Sequence, residues 1–157
     1  MADVSEQSSA TDFDLQLNLA AKAGLANVIS ALLAKGAQVN ACSPFGYRAL
    51  SVACANDQVK SAEVLLNSGA DLFERYQLHD ESGQVVGERM ICVALLTAGR
   101  RGSPALIDLL VQHGACIKET DLNGETLLHK AAEAGNVALM AYLIAAGLDL
   151  NQHKGHY

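Results

Sequence analysis

Four glycines, each followed by a small or apolar residue, mark out this chain: Gly36-Ala37, Gly69-Ala70, Gly114-Ala115 and Gly147-Leu148. The intervals between them are 33, 45 and 33 residues. A recurrent period of roughly 20–50 residues is the mark of stacked supersecondary units, each unable to bury its own apolar face. The middle interval exceeds the period by 12 residues, so one unit carries an insertion. Few other features limit the possible folds as strongly, because the period excludes a conventional core built once by the whole chain.

In register on these glycines, the segments share one plan. The fourth runs DLNGETLLHKAAEAGNVALMAYLIAAGLDLN from Asp121 to Asn151, the second runs from Ser43 to Leu72, the third from Met90 to Ile117, and the first begins at Leu15 without a leading turn. The plan is a turn, a short Ala-rich helix, a second turn, and a longer Leu-rich helix closed by glycine, the residue that most readily takes the left-handed conformation of a helix end. Outer helices are predicted near Asn27–Ala34, Val59–Asn67, Pro104–Gln112 and Val137–Ala145, the third announced by a Ser103 cap followed by Pro104. Apolar pairs recur once per unit at Leu32-Leu33, Leu65-Leu66, Leu109-Leu110 and Leu143-Ile144. They are expected to bury against neighbouring units.

These residues resemble the ankyrin repeat family. Asp121, Gly124, Thr126, Leu128, His129, Ala131, Ala132, Gly135 and Gly147 stand where that family's D-x-x-G-x-T-P-L-H-x-A-A-x-x-G…G-A pattern places them, with Leu127 at the proline position. The second unit keeps Gly46, Leu50 and Ala53 but has Ser51 for the histidine and Asp57 for a glycine; the third keeps Ala98 and Gly102, with Ile91 for the turn glycine. The resemblance implies an all-α repeat solenoid, a helix-turn-helix stack with β-turn or hairpin fingers projecting from it. It implies structural roles for Gly36, Gly69, Gly114, Gly124, Thr126, His129, Gly135 and Gly147, the imidazole of His129 tying a helix start to turn backbone. The expected organisation is a flexible polar segment over 1–12, a repeat domain over 13–152 with units near 13–41, 42–72, 73–117 and 118–152, and a tail over 153–157.

The insertion spans about residues 73–89, FERYQLHDESGQVVGER. Tyr76–His79 and Gln84–Val86 are β-prone runs around a turn at Asp80–Gly83, which predicts a hairpin lengthening the third finger. Two readings stand side by side. Insertions in loops cost little entropy, so the segment can be inert. Yet Tyr76, Leu78, Val85 and Val86 are poor material for a disordered loop, and loops on rigid scaffolds often carry binding.

Candidate partner contacts are Tyr76, Leu78 and His79 on the insertion; Pro44, Phe45 and Tyr47 at the second finger; Leu122 and Glu125 at the fourth; and Arg100, Arg101 and Glu133 at the ends of inner helices. Aromatics are frequent interface anchors, and an arginine pair suits carboxylate or phosphate. Against these stand local packing of the aromatics and cations at rest near a helix C-terminus. The resemblance implies that inner-helix ends face a concave, ligand-binding side.

The remaining residues narrow the function. The chain carries a net charge of −6, which argues against nucleic acid or an anionic membrane as the main partner. Cys42, Cys54, Cys92 and Cys116 form no close pair of the kind zinc sites use. Free thiols point to a reducing, cytoplasmic setting, and the polar N-terminus lacks the form of a signal peptide. His153 and His156 near the end make a poor metal pair, and no cofactor loop or catalytic elbow is present. The resulting expectation is a non-enzymatic module that binds another protein, inhibiting, recruiting or neutralising it, without cofactor or metal. Two alternatives remain: a self-assembling or effector-type scaffold using the apolar stretch 137–146, and an enzyme with a loop-borne site around His79, Asp80 and Glu81. Ala138, Ala141 and Ala145 replace the charge expected on an outer face; the tail, another subunit or further sequence are all open as its cover.

Overall fold

A computed structural model describes residues 4–43 and 46–149, with side chains from residue 12 onward. Among the described residues the order is α1 (Val4–Ala23), α2 (Ala26–Ala34), α3 (Ala49–Ala55), α4 (Val59–Asn67), β1 (Glu74–His79), β2 (Val85–Ile91), α5 (Val93–Arg101), α6 (Pro104–Gln112), α7 (Leu127–Ala134) and α8 (Val137–Ala145). Helices α1, α3, α5 and α7 pack in sequence as an inner row, and α2, α4, α6 and α8 as an outer row, each inner helix also packing on the outer helix that follows it. The result is a helix-turn-helix repeat stack with a two-stranded hairpin between α4 and α5.

The core follows the repeat. Leu17, Leu50, Leu95 and Leu128 hold one position in four successive inner helices and are all nearly inaccessible; Leu32, Leu65, Leu110 and Leu143 do the same in the outer row. Truncating any fully buried leucine of this kind to alanine costs about 2–5 kcal/mol. The other member of each apolar pair is less uniform: Leu66 is buried, Leu33 and Leu109 are half-buried, and Ile144 is 55% exposed. Where α5 meets α7, the contact is so close that a Cβ on Gly99 would lie 2.9 Å from both Leu127 Cδ1 and Lys130 Cβ.

Each outer helix ends in the same way. The amides of Ala37, Ala70, Ala115 and Leu148 donate to the carbonyls of Leu32, Leu65, Leu110 and Leu143, each at 3.0 Å. The glycine before each has φ between 92° and 108°, a conformation that a side chain resists. At α6 the Ser103 hydroxyl accepts from the Leu106 amide at 3.3 Å, with Pro104 in the first turn. At α7, Thr126 and His129 form a reciprocal cap. The Thr126 amide donates to His129 Nδ1 at 3.2 Å, and the His129 amide to the Thr126 hydroxyl at 3.4 Å.

Two expectations change. The segment read as a flexible lead-in is helical from Val4, so α1 absorbs most of residues 1–12. Its polar run VSEQSSATD carries no apolar stripe, so periodicity could not reveal it. The hairpin is also longer than its β-prone runs. It pairs Glu74 with Ile91 at its base and Leu78 with Gly87 near its tip, with a bulge between Leu78 and His79. Its charged residues hid the strands from propensity: Arg75 and Glu88 lie on neighbouring strands with a 3.4 Å ion pair. The Asp80 carboxylate closes the turn, accepting from the Ser82 amide, the Ser82 hydroxyl and the Gln84 amide at 2.9, 2.6 and 3.0 Å.

Polar side chains tie successive repeats across the loops between inner and outer helices. Gln58 Nε2 donates to the Lys22 carbonyl at 3.2 Å, and Asn136 Nδ2 to the Gly102 carbonyl at 3.0 Å. Between them, Asp57 Oδ1 accepts from the Ser103 amide and hydroxyl at 2.8 and 2.9 Å. Asp57 holds φ 53°, left-handed and non-glycine. Its two bonds to Ser103 stabilise a conformation that glycine would adopt freely. Replacing Asp57 therefore separates the two effects. Asp57→Ala keeps the strain and loses both bonds, and is expected to cost about 1–3 kcal/mol; Asp57→Gly relieves the strain and should cost less. Urea unfolding of the three proteins checks the order Asp, Gly, Ala.

Candidate functional site

The hairpin stands beside the fourth finger, and the two are joined by side chains. Arg89 lies opposite Tyr76 in the ladder. Its guanidinium donates from Nη1 to the Asp121 carbonyl at 3.0 Å, and from Nη2 to the Thr120 carbonyl and hydroxyl at 2.8 and 2.6 Å. Where β2 meets α5, the Cys92 amide donates to Glu119 Oε1 at 2.9 Å. On the other flank, Arg48 of the second finger lies 3.5 Å from Glu74 (an ion pair without hydrogen-bond geometry) and 3.9 Å from Asp71. The lower half of the inserted hairpin is thus latched to both of its neighbours.

This latching encloses a groove of about 480 Å³. Tyr76 and Ile91 contribute from the hairpin; Ala55, Val93, Leu96, Thr97, Arg100 and Lys130 from the inner helices; and Asp121, Leu122 and Asn123 from the fourth finger. Apolar groups dominate its lining, with cations on the inner-helix side. Alternation along β1 puts Glu74, Tyr76 and Leu78 on one strand face.

The polar groups at the rim are already engaged. Lys130 Nζ lies 2.9 Å from Asp121 Oδ2 and 3.8 Å from Glu125 Oε2. Burial opposes charge on Asp121, but Lys130 and the amides of Glu125 and Asn123 outweigh it and hold the carboxyl below its ordinary range. Arg100 Nη2 pairs with Glu133 Oε1 at 3.5 Å, both largely exposed, so this pair adds little stability and can be redirected to a ligand. Burial pushes the Tyr76 hydroxyl above its usual range, aided by its bond to Glu74 at 3.3 Å.

The candidate residues divide. Tyr76, Arg100 and Leu122 line the groove, and Glu125 and Glu133 contact the cations at its rim. Leu78 and His79 lie further toward the hairpin tip, where Val85 and Val86 are also exposed. Tyr47 is exposed on the second finger, its amide donating to the Ser43 hydroxyl at 3.2 Å; Arg101 is exposed in the last turn of α5. Pro44, Phe45, His153 and His156 lie outside the described residues. Sequence reasoning missed Ala55, Val93, Leu96, Thr97 and Lys130 as groove lining, and Arg89 as the latch. The one available signal was Arg89 itself, a cation directly beside the apolar Met90-Ile91 pair.

The loop-borne catalytic reading rests on three residues of the hairpin tip. His79, Asp80 and Glu81 are exposed at the hairpin tip, and the Asp80 carboxylate is engaged in the turn. Among the described residues no group of three or more His, Cys, Asp or Glu is placed to hold a metal ion, and no helix is long and apolar enough to cross a membrane. All four cysteines are free. Burial pushes the thiol of Cys54 far up and that of Cys92 up to about 11.

The paired rows of helices and the groove under an enlarged finger define a helical-repeat protein. A family model for ankyrin repeats (3 copies) matches residues 6–76 and 87–154, and the chain belongs to the ankyrin repeat family. The matched stretches leave out residues 77–86, the hairpin's outer part. The chain is 31% identical over 125 residues to the ankyrin repeat and SOCS box protein 6 of Mus musculus, covering 76% of this chain and 27% of that protein. It is 31% identical over 124 residues to the ankyrin repeat protein nuc-2 of Neurospora crassa, covering 78% of this chain and 10% of that one. The chain thus spans only a minor part of the length of either relative.

Two measurements check this geometry. Because the folded Asp121 carboxyl is lowered, its contribution is complete above the unfolded value near ~4 and disappears as pH falls through the lower folded value. Asp121→Asn should therefore be less stable than the parent at pH 7, with the gap closing as denaturation is repeated toward pH 2. Thiol titration of the native chain should label the exposed Cys42 and Cys116 quickly, and Cys54 and Cys92 only on unfolding.

Proposed function

We propose that this chain is a non-enzymatic protein-binding module whose recognition surface is the groove between the inserted hairpin and the fourth finger. Ankyrin repeats are in general protein–protein interaction modules, and the observation that carries the reading for this chain is the groove itself. It is apolar within and wide enough for one or two side chains of a partner. It is walled by a hairpin whose base Arg89 fixes in place. A preformed wall lowers the ordering cost of binding. In this reading the inner-helix side is the concave face of a solenoid. Tyr76 and Leu122 are apolar anchors, and Arg100, released from Glu133, meets a partner carboxylate. Leu78, Val85 and Val86 at the tip extend the contact. Tyr47 on the second finger and Arg101 are peripheral. The outcome for the partner is inhibition, recruitment or neutralisation in a reducing, cytoplasmic setting that keeps the four thiols free.

The test begins with affinity capture on the 157-residue chain, followed by calorimetry on the purified partner. Thr97→Arg puts a long side chain into the groove from a half-buried helical position, and is expected to weaken binding about tenfold or more, equivalent to ~1.4 kcal/mol. Replacing residues 77–86 by a short Asn-Gly turn should weaken it less. If both variants bind as tightly as the parent while melting at the parent temperature, the groove is not the recognition surface.

A further inference from the structure

Comparing equivalent positions in the four repeats shows which side of each unit faces its neighbours. The third residue of the outer helix is buried at Ser61, Leu106 and Leu139, but Val28, its counterpart in the first repeat, is 44% exposed. This position packs against the preceding repeat. The loop position occupied by Gln58, Ser103 and Asn136 reaches back to the preceding repeat through hydrogen bonds, and in the first repeat it is Leu25, also exposed. The opposite pattern marks the side facing the following repeat. Ile29, Ala62 and Ile107 are fully buried, while Met140 at the same position is only half-buried. Ala26, Val59 and Pro104 are half-buried, while Val137 is 74% exposed. Tyr142 hydrogen-bonds back to Asp108, and the positions that would extend this contact at the two ends, Ala141 and Ala31, are both alanine.

Among the described residues, the first and last repeats therefore expose complementary halves of the interface used at each internal junction, and both halves are apolar. We propose that the end formed by Val137 and Met140 docks head-to-tail on the end formed by Leu25 and Val28 of a second copy of this chain, continuing the repeat stack across the molecular boundary. The argument is continuity with the internal repeat-to-repeat interface: Val28 meets the surface that its equivalents meet within the chain. The surfaces are unlike, so the contact is heterologous and does not close on itself. Leu25 supplies no polar strap of the kind Gln58 and Asn136 provide, so the junction is weaker than the internal ones and depends on concentration. The proposal is independent of the groove, which opens on the inner-helix side of the stack.

Sedimentation velocity of the full chain from about 5 to about 500 µM spans the range in which such a contact is populated. The expected weight-average mass climbs past the dimer without a plateau. Val28→Glu and Val137→Glu, both at exposed positions in first helical turns where an acidic residue is well tolerated, should each be monomeric alone. Mixed in equal amounts they should form a dimer and stop there, since each retains the end that the other has lost. A second pair, Leu25→Glu with Met140→Glu, should behave in the same way, and thermal melts of each variant verify its fold. A strict monomer throughout, a wild-type plateau at the dimer, or a mixture of correctly folded variants that stays monomeric would each overturn the proposal.

Discussion

Stacking of one helix pair on the next is the interaction on which the rest of this structure depends. Leu17, Leu50, Leu95 and Leu128 are buried because each inner helix packs on an adjacent inner helix and on the outer helix of its own repeat, and none of these helices exceeds nine residues after α1. Isolated helices of this length are unstable in water, so each exists only while the adjoining repeat covers its apolar face. Stability is consequently a chain of nearest-neighbour terms. A close contact such as Gly99 against Leu127 sets the spacing of its junction as well as contributing to it.

The polar ties between loops do a different job. Gln58, Asp57 with Ser103, and Asn136 sit at equivalent junctions, yet they use different donors and acceptors. What is preserved is satisfaction of groups at helix ends that would otherwise lack partners. Asp57 illustrates the exchange. A residue with a side chain occupies a left-handed position, and its carboxylate secures the cap of α6 in the following repeat.

Local signals made most of the outer row legible from sequence. Glycine at each C-terminus and Ser103-Pro104 at one N-terminus are readable without tertiary context, and the apolar pairs supply the phase. Legibility failed where structure depends on partners distant in sequence. The hairpin base is held by Arg89 reaching residues 31 and 32 positions away, and the same base includes Glu74 and Arg75, which propensity assigns to a loop. The groove lining failed for the same reason. Ala55, Val93, Leu96 and Thr97 look like ordinary inner-helix residues, and only the inserted strand standing opposite turns them into a cavity wall. Of the singled-out residues, those that reached the groove were the ones on the hairpin base, the end of α5 and the fourth finger. The aromatic second finger contributes none of its described residues to it.

The insertion divides mechanically at about the level of the Leu78–Gly87 pair. Below it, Arg89 and Glu119 bind the strands to the fourth finger, and Arg48 holds Glu74 toward the second. Above it, the bulge at Leu78/His79 and the Asp80 turn are satisfied internally, and Val85 and Val86 have most of their surface in solvent. Three hydrogen bonds from one guanidinium to a neighbouring finger remove the base from the fluctuations of a free two-stranded ribbon, which is marginal alone. The tip has no such support. A loop insertion is cheap in closure entropy whatever its sequence, so length alone gives it no consequence. The latch does, because it places one face of a strand at a fixed distance from the inner helices while leaving an adaptable apolar tip beyond. Both properties follow from which residues of the hairpin find partners in the next repeat and which do not.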